Sequence, residues 1–319
     1  MPDIITVTPY TAIDHVIIVE NLQPGRVNQA DSGSRYPAGK GVNVARAVTS
    51  LGEHVAVLGL VGAESAAVFS KLRSELMEVR LRKVPGETRT NISLSDRSQE
   101  TTTHIRTPGF TVTHEDMERL TGDIRSLASG GDIVVLAGSL PPGADDATYG
   151  RLTEACHTTG ARVILDASGS ALREGLQAKP FMIKPNVSEL KELVGADITG
   201  PGEIVNAARE VTRSGISLVI VSRGAAGAIA VSEKGEIWSA RVSAMDDSPV
   251  NNVGCGDALV GGVAVGLAQN RVPADLLQLG VVCGTANLFT RVPGLCDPEM
   301  LEKFRSLVSL EQLAVGSKQ

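Results

Sequence analysis

The stretch IVVLAGSLPPGADDATYGRLTEACHTTGARVILD, residues 133–166, predicts the fold of the chain. It opens with an apolar run at 133–137, continues through a segment of helical length at 146–159 and closes with a second apolar run at 163–166. Continuous apolar runs of this length are typical of strands that are buried on both faces. Strands that alternate with helices indicate a parallel sheet covered by helices on both sides.

The same alternation extends from this unit toward both ends of the chain. Further buried strands are predicted at 4–8, 55–60, 182–184 and 218–222. Helices are predicted at 42–51, 64–77, 114–128, 188–194, 203–214, 257–269, 274–289 and 298–308. We therefore expect an α/β protein, a three-layer α/β/α sandwich with a mostly parallel sheet, in a single domain over residues 1–319.

Two places lack the helix between strands. Residues 16–19 and 29–36 form one predicted pair, and residues 90–95 and 101–106 form another. Pairs joined by polar turns indicate antiparallel strands, so we expect a small antiparallel β lid built from about 14–36 and 87–106. A small isolated sheet buries little apolar surface, so its outward face is expected to pair with a second copy in a homodimer.

Composition excludes several classes of partner. The net charge is −6, which disfavours nucleic-acid binding because that binding depends on Lys and Arg neutralising phosphates. No uncharged stretch is long enough to span a membrane, and the first residues do not resemble a signal peptide. Four scattered cysteines without a CxxC pair or a zinc-like spacing are typical of a reduced, cytoplasmic protein.

Two common nucleotide-binding motifs are missing. The only Gly-Lys pair is Gly39-Lys40, which is followed by Gly41, and Ser34 occupies the position of the first glycine of a Walker A loop. The sequence Gly254-Cys255-Gly256 has no third glycine where a dinucleotide-binding motif needs one. Both absences disfavour a P-loop NTPase and a nicotinamide-dependent dehydrogenase.

The strongest local signal is NNVGCGDA at residues 251–258. Gly254, Cys255 and Gly256 allow backbone N–H groups to converge at the start of a helix, which makes an anion hole. Asp257, in the first turn, could accept a proton from an attacking hydroxyl, and the helix N-terminus is expected to keep it ionised at neutral pH. The structural alternative is an Asp that only caps the helix.

A second glycine-rich segment, PAGKGVNVAR at residues 37–46, also opens a helix. Gly39 lies at the turn, Lys40 could hold a phosphate, and Asn43 could bind sugar hydroxyls. The structural alternative is a turn with a solvated lysine.

Two further segments follow predicted strands. In KPNVSEL, residues 184–190, Lys184 and Asn186 are candidates for contacts with nucleotide phosphates, and Glu189 is a candidate for binding magnesium. The alternative is that Asn186 and Glu189 form a capping box at the start of a helix. In VSRGAAGA, residues 221–228, the nucleotide-binding candidates are Ser222, Gly224 and Gly227. The alternative is that this segment is an ordinary tight connection without a binding role. Ligands of parallel sheets gather at such strand ends.

Together these four segments resemble the ribokinase-like (PfkB) carbohydrate kinases, in order and spacing, from Thr8 to about Gly294. The resemblance implies that ATP donates a phosphoryl group, that the GxGD segment supplies the anion hole and Asp257 the base, and that Glu189 of an NxxE segment serves Mg²⁺ indirectly, through water.

A narrower resemblance is to 1-phosphofructokinases and tagatose-6-phosphate kinases, and it implies a sugar phosphate as acceptor. It rests on TPYTAID at 8–14, GETRTN at 86–91, AGSLPPG at 137–143, LDASG at 165–169 and GTAN at 284–287. These segments contribute Asp14, Arg89 and Ser139 as substrate-binding candidates and Asn287 as a wall of the adenine pocket.

Basic residues in or beside the lid suit a phosphorylated acceptor, because Arg binds phosphate with two hydrogen bonds. They are Arg26, Lys40, Arg89 and Arg106, and each has the alternative of being a solvated surface charge. Tyr10, Ala38, Ala137, Arg106 and Arg223 depart from the usual pattern of the resembled kinases. Two rival functions remain open: a kinase of an unphosphorylated sugar or nucleoside, and a nucleotide-binding regulator without activity.

Overall fold

The computed structural model describes residues 3–243, 249–250 and 252–313. Its described strands form one sheet of ten and one of four. In chain order they are β1 (Ile4–Thr8), β2 (Ala12–Val19), β3 (Ser32–Ala38), β4 (Val55–Gly62), β5 (Met77–Val84), β6 (Arg89–Asp96), β7 (Thr101–Arg106), β8 (Ile133–Ala137), β9 (Arg162–Asp166), β10 (Met182–Ile183), β11 (Leu218–Ser222), β12 (Ala228–Ser232), β13 (Ile237–Val242) and β14 (Val308–Gln312).

The large sheet has the order β14-β13-β12-β11-β10-β9-β8-β1-β4-β5. All pairings from β11 to β5 are parallel, which confirms the prediction of a mostly parallel sheet. The edge formed by β12, β13 and β14 is antiparallel and was not predicted. β13 and β14 are half-exposed, so they lack the continuous apolar runs by which the central strands are recognised.

The predicted helix at 64–77 is wrong. Residues 63–72 form a 3₁₀ segment, Ala63–Leu72, and β5 begins at Met77. The sequence MEVRLRKV of β5 has apolar side chains at alternate positions at its start, and Met77 and Val79 are buried while Glu78 and Arg80 are exposed. Period-two alternation is the pattern of a strand, and the charged outward residues suit the edge of the sheet that β5 occupies.

The helices cover both faces of the large sheet and confirm the three-layer sandwich. They are α1 (Lys40–Ser50), α2 (His114–Leu127), α3 (Thr148–His157), α4 (Gly169–Gly175), α5 (Val187–Val194), α6 (Pro201–Arg213), α7 (Cys255–Ala268), α8 (Pro273–Ala286) and α9 (Pro298–Leu307). One apolar core includes residues of α1, α7, α8 and α9, and the other includes residues of α2 to α6. Within the ranges given above, no helix is both long and apolar enough to cross a membrane.

The small sheet has the order β3-β2-β6-β7. Both predicted hairpins are present, since β2 pairs antiparallel with β3 and β6 pairs antiparallel with β7. The two hairpins join through β2 and β6, which run parallel, so the complete sheet is mixed. All six residues of β7 are exposed.

The two glycine-rich helices, α1 and α7, pack closely enough to bring their N-termini together. A Cβ on Gly261 of α7 would lie 2.5 Å from Ala47 Cβ and 3.0 Å from the backbone oxygen of Val44, both in α1. Only a residue without a side chain fits at this crossing. The predicted anion hole and the predicted sugar-binding segment therefore meet at one end of the sheet.

Candidate active site

Asp257 lies where α1 and α7 meet. Its side chain is 8% exposed, and Oδ2 accepts a hydrogen bond of 2.8 Å from Asn43 Nδ2. No described side chain caps the N-terminus of α7, so Asp257 does not act as the cap that the structural alternative required. The carboxylate is directed instead toward the segment predicted to bind the sugar.

The pKa of Asp257 is raised to about 6. Burial is the main cause, and the charge of Asp166 acts in the same direction, whereas Lys40, Lys184 and the hydrogen bond from Asn43 oppose the shift. The expectation that the helix N-terminus governs its ionisation is therefore incomplete, because desolvation dominates. The group is still mostly ionised at pH 7 and can accept a proton.

A buried carboxylate, Asp166, holds the two predicted lysines near Asp257. Asp166 Oδ1 lies 3.1 Å from Lys40 Nζ and 3.5 Å from Lys184 Nζ. Burial opposes the charge of Asp166, but Lys184 and Lys40 together keep its pKa below the ordinary value. Burial likewise opposes the charge of Lys40, yet Asp166 and Asp257 raise the pKa of that lysine, so Lys40 can face an anion as a cation.

The sheet register explains why these residues converge. Ile183 of β10 pairs with Leu165 of β9, so Lys184 and Asp166 leave neighbouring parallel strands at the same level. Lys40 begins α1 above the end of β8, where a Cβ on Gly138 would lie 3.9 Å from Lys40 Cβ. All of these positions are at the carboxyl ends of the strands, as predicted.

The turn of the predicted anion hole is fixed by close backbone contacts. Gly254 has φ 88°, and a Cβ there would lie 2.6 Å from the backbone nitrogen of Gly294. Cys255 and Gly256 then begin α7, and a Cβ on Gly256 would lie 3.5 Å from Lys184 Nζ. Burial raises the pKa of Cys255 to about 11, so this cysteine is a neutral thiol within the hole. Asn251, the first residue of the predicted segment, lies outside the described residues.

Arg89 lies at the junction of the small sheet and the core. It donates hydrogen bonds to Ser139 Oγ at 3.1 Å and to the backbone oxygen of Tyr10 at 3.2 Å, and its guanidinium lies 4.2 Å from the centre of the Tyr10 ring. Its pKa is lowered by burial and, to a smaller extent, by the charge of Arg106. The Arg89 Nε atom is buried without a hydrogen-bond partner.

Asp14 lies on the strand of the small sheet that pairs with the strand of Arg89. Asp14 Oδ1 accepts a hydrogen bond of 2.8 Å from Asn91 Nδ2, and burial raises its pKa although Asn91, Arg46 and Arg89 oppose the shift. A half-buried carboxylate between two guanidiniums is available to accept hydrogen bonds from substrate hydroxyls.

Arg26 lies far from Arg89 and Asp14 within one chain. It lies in the connection between β2 and β3, where Ile18 faces Ser32, whereas Arg89 faces Ala12 at the opposite end of β2. Six strand residues separate these two levels, a distance of roughly 20 Å. The predicted convergence of Arg26 with Arg89 therefore needs a different arrangement from the one within a single chain.

Asn186 and Glu189 form the capping box that was the structural alternative. Asn186 Oδ1 accepts from the backbone nitrogen of Glu189 at 2.9 Å, and Glu189 Oε2 accepts from the backbone nitrogen of Asn186 at 2.8 Å. The side chain of Glu189 is nevertheless half-exposed and close enough to Lys40 to help raise the pKa of that lysine. Capping orients Glu189 at the rim of the site and leaves a ligand-binding role open.

The remaining nucleotide candidates lie on the same side of the sheet. Ser222 forms a parallel bridge with Asn186, and Gly224 is exposed in the loop that follows it. A Cβ on Gly227 would lie 2.0 Å from the backbone oxygen of Ala240, so that glycine is required by close packing against β13. Asn287 is fully buried, and its Nδ2 donates 2.9 Å to the backbone oxygen of Leu295, which favours a structural role over contact with adenine.

Three residues of this site received no role from the sequence. Asp166 and Asn91 fall within segments that resemble known kinases, and Arg46 closes the segment at 37–46. The signal for Asp166 was its position as the last residue of a buried strand, next to a predicted strand that ends in Lys184. Arg46 gave no signal beyond its helical spacing of three residues from Asn43.

The sequence matches a known family over most of its length. Residues 4–300 match the pfkB family carbohydrate kinase. The chain is 36% identical to the 1-phosphofructokinase of Bacillus subtilis (strain 168) over 294 residues, covering 91% of this chain and 94% of that protein. It is 35% identical to the 1-phosphofructokinase of Rhodobacter capsulatus over 314 residues, covering 97% and 98%.

Solved structures show the same fold. The crystal structure of phosphofructokinase-2 from Escherichia coli in complex with potassium superposes with a TM-score of 0.88 at 27% sequence identity, covering 96% of this chain and 99% of that one. The match extends over nearly the whole chain and includes every segment that forms the site. The chain belongs to the pfkB family of carbohydrate kinases.

Proposed function

We propose that the protein transfers the γ-phosphoryl group of ATP to a hydroxyl of a sugar phosphate. The observation that carries the choice of acceptor is Arg89: its guanidinium lies at the junction of the small sheet and the core, and its Nε atom is buried without a hydrogen-bond partner. Arg89, which has an unused donor, and Arg106, whose charge acts on Arg89, suit a phosphate that forms part of the acceptor. A plain sugar would leave them without a partner.

Asp257 is the base in this proposal. It takes the proton of the acceptor hydroxyl as that oxygen attacks phosphorus, and the raised pKa brings it near the range in which a base works well. The negative charge of the transferring phosphoryl group would face the uncapped N-terminus of α7, which includes Gly254 and Gly256. It would also face the two lysines that Asp166 holds.

Magnesium fits the site as an ion held mainly by ATP phosphates and water. In the described part of the chain no cluster of three His, Cys, Asp or Glu side chains could hold a metal by itself, and Mg²⁺ in kinases usually keeps several waters. Glu189 at the rim and Asp166 Oδ2, which is buried without a hydrogen-bond partner, are acceptors for such waters. Bound Mg²⁺ would supply charge neutralisation of the phosphates.

The names of the relatives make a fructose monophosphate the first candidate acceptor, with tagatose 6-phosphate as the second. Turnover of ATP with fructose 1-phosphate, fructose 6-phosphate, tagatose 6-phosphate and unphosphorylated hexoses tests the choice. Efficient use of a plain hexose, with no preference for a phosphorylated one, would contradict it.

The small sheet is the lid of the site in this proposal, and it is also the surface for a homodimer. Ile105 of β7 and Val27 of the connection between β2 and β3 are apolar and exposed, and β7 is exposed along its length. Arg26 would reach a sugar-phosphate site only if a second copy supplied it.

The unpaired cysteines agree with a cytoplasmic protein.

The Asp257→Asn variant should fold normally and lose about a hundred- to ten-thousand-fold in turnover, because an amide cannot accept the hydroxyl proton. Asn keeps an acceptor for Asn43, so the melting temperature should be unchanged. The matched control is Asp275→Asn, the same change in the first turn of α8, which should keep full turnover. Near-native turnover of Asp257→Asn would show that another group is the base.

The Arg89→Ala variant should bind the sugar phosphate about ten- to a hundredfold more weakly while ATP binding stays nearly unchanged, since a charge-assisted hydrogen bond to the anion is lost. Calorimetric titration with each ligand measures the effect. Arg80→Ala removes an exposed arginine from β5, far from the site, and should change neither affinity. Equal losses for both ligands would refute the assignment.

The Glu189→Gln variant keeps the acceptor for the Asn186 backbone nitrogen and removes only the charge. Turnover should fall and the Mg²⁺ concentration for half-maximal activity should rise. Glu203→Gln, in the first turn of α6, is the control. An unchanged magnesium requirement for Glu189→Gln would leave capping as the only role of Glu189.

Sedimentation velocity of the purified chain should show a dimer, and Ile105→Lys on the exposed face of the small sheet should shift it toward monomer, because a buried charge opposes association. Control variant Val272→Lys, at an exposed apolar residue before α8, should leave the dimer intact. A native chain that sediments as a monomer at assay concentrations would remove the dimer from the proposal.

A further inference from the structure

Arg46 lies behind the base, separated from it by Asn43. The side chain of Arg46 is buried, with 8% of the residue exposed. One terminal nitrogen donates to Asn43 Oδ1 at 3.0 Å and to the backbone oxygen of Pro293 at 3.1 Å, and the other donates to the backbone oxygen of Pro37. These contacts tie α1 to the end of β3 and to the loop that holds Gly254.

The contacts form a directional chain of donors and acceptors. A guanidinium has only donors, so the atom of Asn43 that faces Arg46 must be its oxygen. The amide nitrogen of Asn43 then faces Asp257, whose ionised carboxylate only accepts. In the opposite amide orientation, N–H would face N–H and oxygen would face the carboxylate, so both contacts would be repulsive.

We propose that Arg46 is a positioning residue for the base: it fixes the Asn43 amide in the orientation that donates to Asp257. This inference rests on the proposed function only in calling Asp257 the base. The orientation of the amide and the ionisation of Asp257 can both be measured without turnover. Arg46 itself stays a cation at neutral pH, because burial lowers its pKa only to about 10 and Asp14 opposes the shift.

The hydrogen bond from Asn43 is one of the influences that limit the rise in the pKa of Asp257. The other charged groups around Asp257 are Lys40 on α1, Lys184 after β10 and Asp166 at the end of β9, and none of them contacts Arg46. The direct route from Arg46 to Asp257 is therefore the Asn43 amide; loss of Arg46 also removes its contacts with Pro37 and Pro293 and a charge that acts on Asp14, which is why the test below includes Asn43.

The test measures the pKa of Asp257 in the Arg46→Met variant. The carbon chemical shift of the Asp257 carboxyl group gives this pKa by titration, and the acid limb of the pH profile of turnover gives it independently. A lost hydrogen bond to a carboxylate should raise the pKa by about one unit. Turnover should then fall about fivefold at pH 6 and approach the native value at pH 8.5, because only the ionised fraction changes. A merely structural role predicts an equal loss at every pH.

A double-mutant cycle tests whether Arg46 acts on Asp257 through the Asn43 amide or by another route. Asn43→Ala should give the same shift, and Arg46→Met combined with Asn43→Ala should give no more than either alone. Ser50→Ala is the matched control, since it removes a different contact between α1 and the 290s loop and should not move the pKa. If Arg46→Met does not fold, Arg46→Lys replaces it. One ammonium cannot serve three acceptors in this geometry, so at least half of the expected shift in the pKa of Asp257 should remain.

An unchanged pKa of Asp257 in the folded Arg46 variant, or a shift that adds to that of Asn43→Ala, would overturn the inference. Failure of the native protein to phosphorylate any sugar phosphate would overturn the proposed function instead. The carboxyl titration would still report the link between Arg46 and Asp257 in that case.

Discussion

The close crossing of α1 and α7 sets the positions of the groups on which the chemistry depends. Because Gly261 has no side chain, the two helices approach until their backbones nearly touch, and Asn43 and Asp257 come within hydrogen-bond distance at their N-terminal ends. A wider crossing would separate the proposed base from the segment proposed to bind the sugar. The same crossing places Gly294 against Asn43, so the turn at Gly254 is held from a third side.

Charge balance around this crossing explains why so many ionised groups are tolerated in a buried site. Two lysines face two carboxylates, Asp166 and Asp257, so the set is close to neutral when no ligand is bound. In the proposed reaction, Asp257 accepts a proton, and the set then gains a positive charge at the moment when negative charge develops on the acceptor. Fixed charges of this kind need no reorganisation during the reaction.

Much of this arrangement could be predicted from the sequence, because apolar runs identify buried strands and glycines mark helix starts. β1, β7, β8 and β11 were predicted with correct ends, Lys184 was placed at the end of a parallel strand, and Lys40, Asn43 and Asp257 were placed at the starts of glycine-rich helices. The half-exposed strands β13 and β14 carry no comparable pattern.

Other features depend on distances that a sequence does not encode. The separation of Arg26 from Arg89 follows from the length and pairing of β2, and the burial of Asn287 follows from the loop at 290–295 that folds over it. The role of Asp166 appears only when the register of β9 and β10 is known. Arg46 is a similar case, because its importance lies in which atoms of its neighbours it faces.

The crossing of α1 and α7 and the small sheet also differ in how freely their residues can be replaced over evolutionary time. Gly254, Gly261 and Gly294 each face backbone or side-chain atoms at distances that forbid any added atom, so the machinery for phosphoryl transfer tolerates almost no drift. The exposed residues of β7 and the connection that carries Arg26 meet no such steric limit. New acceptor preferences can therefore arise by changes in the small sheet while the catalytic groups are inherited intact.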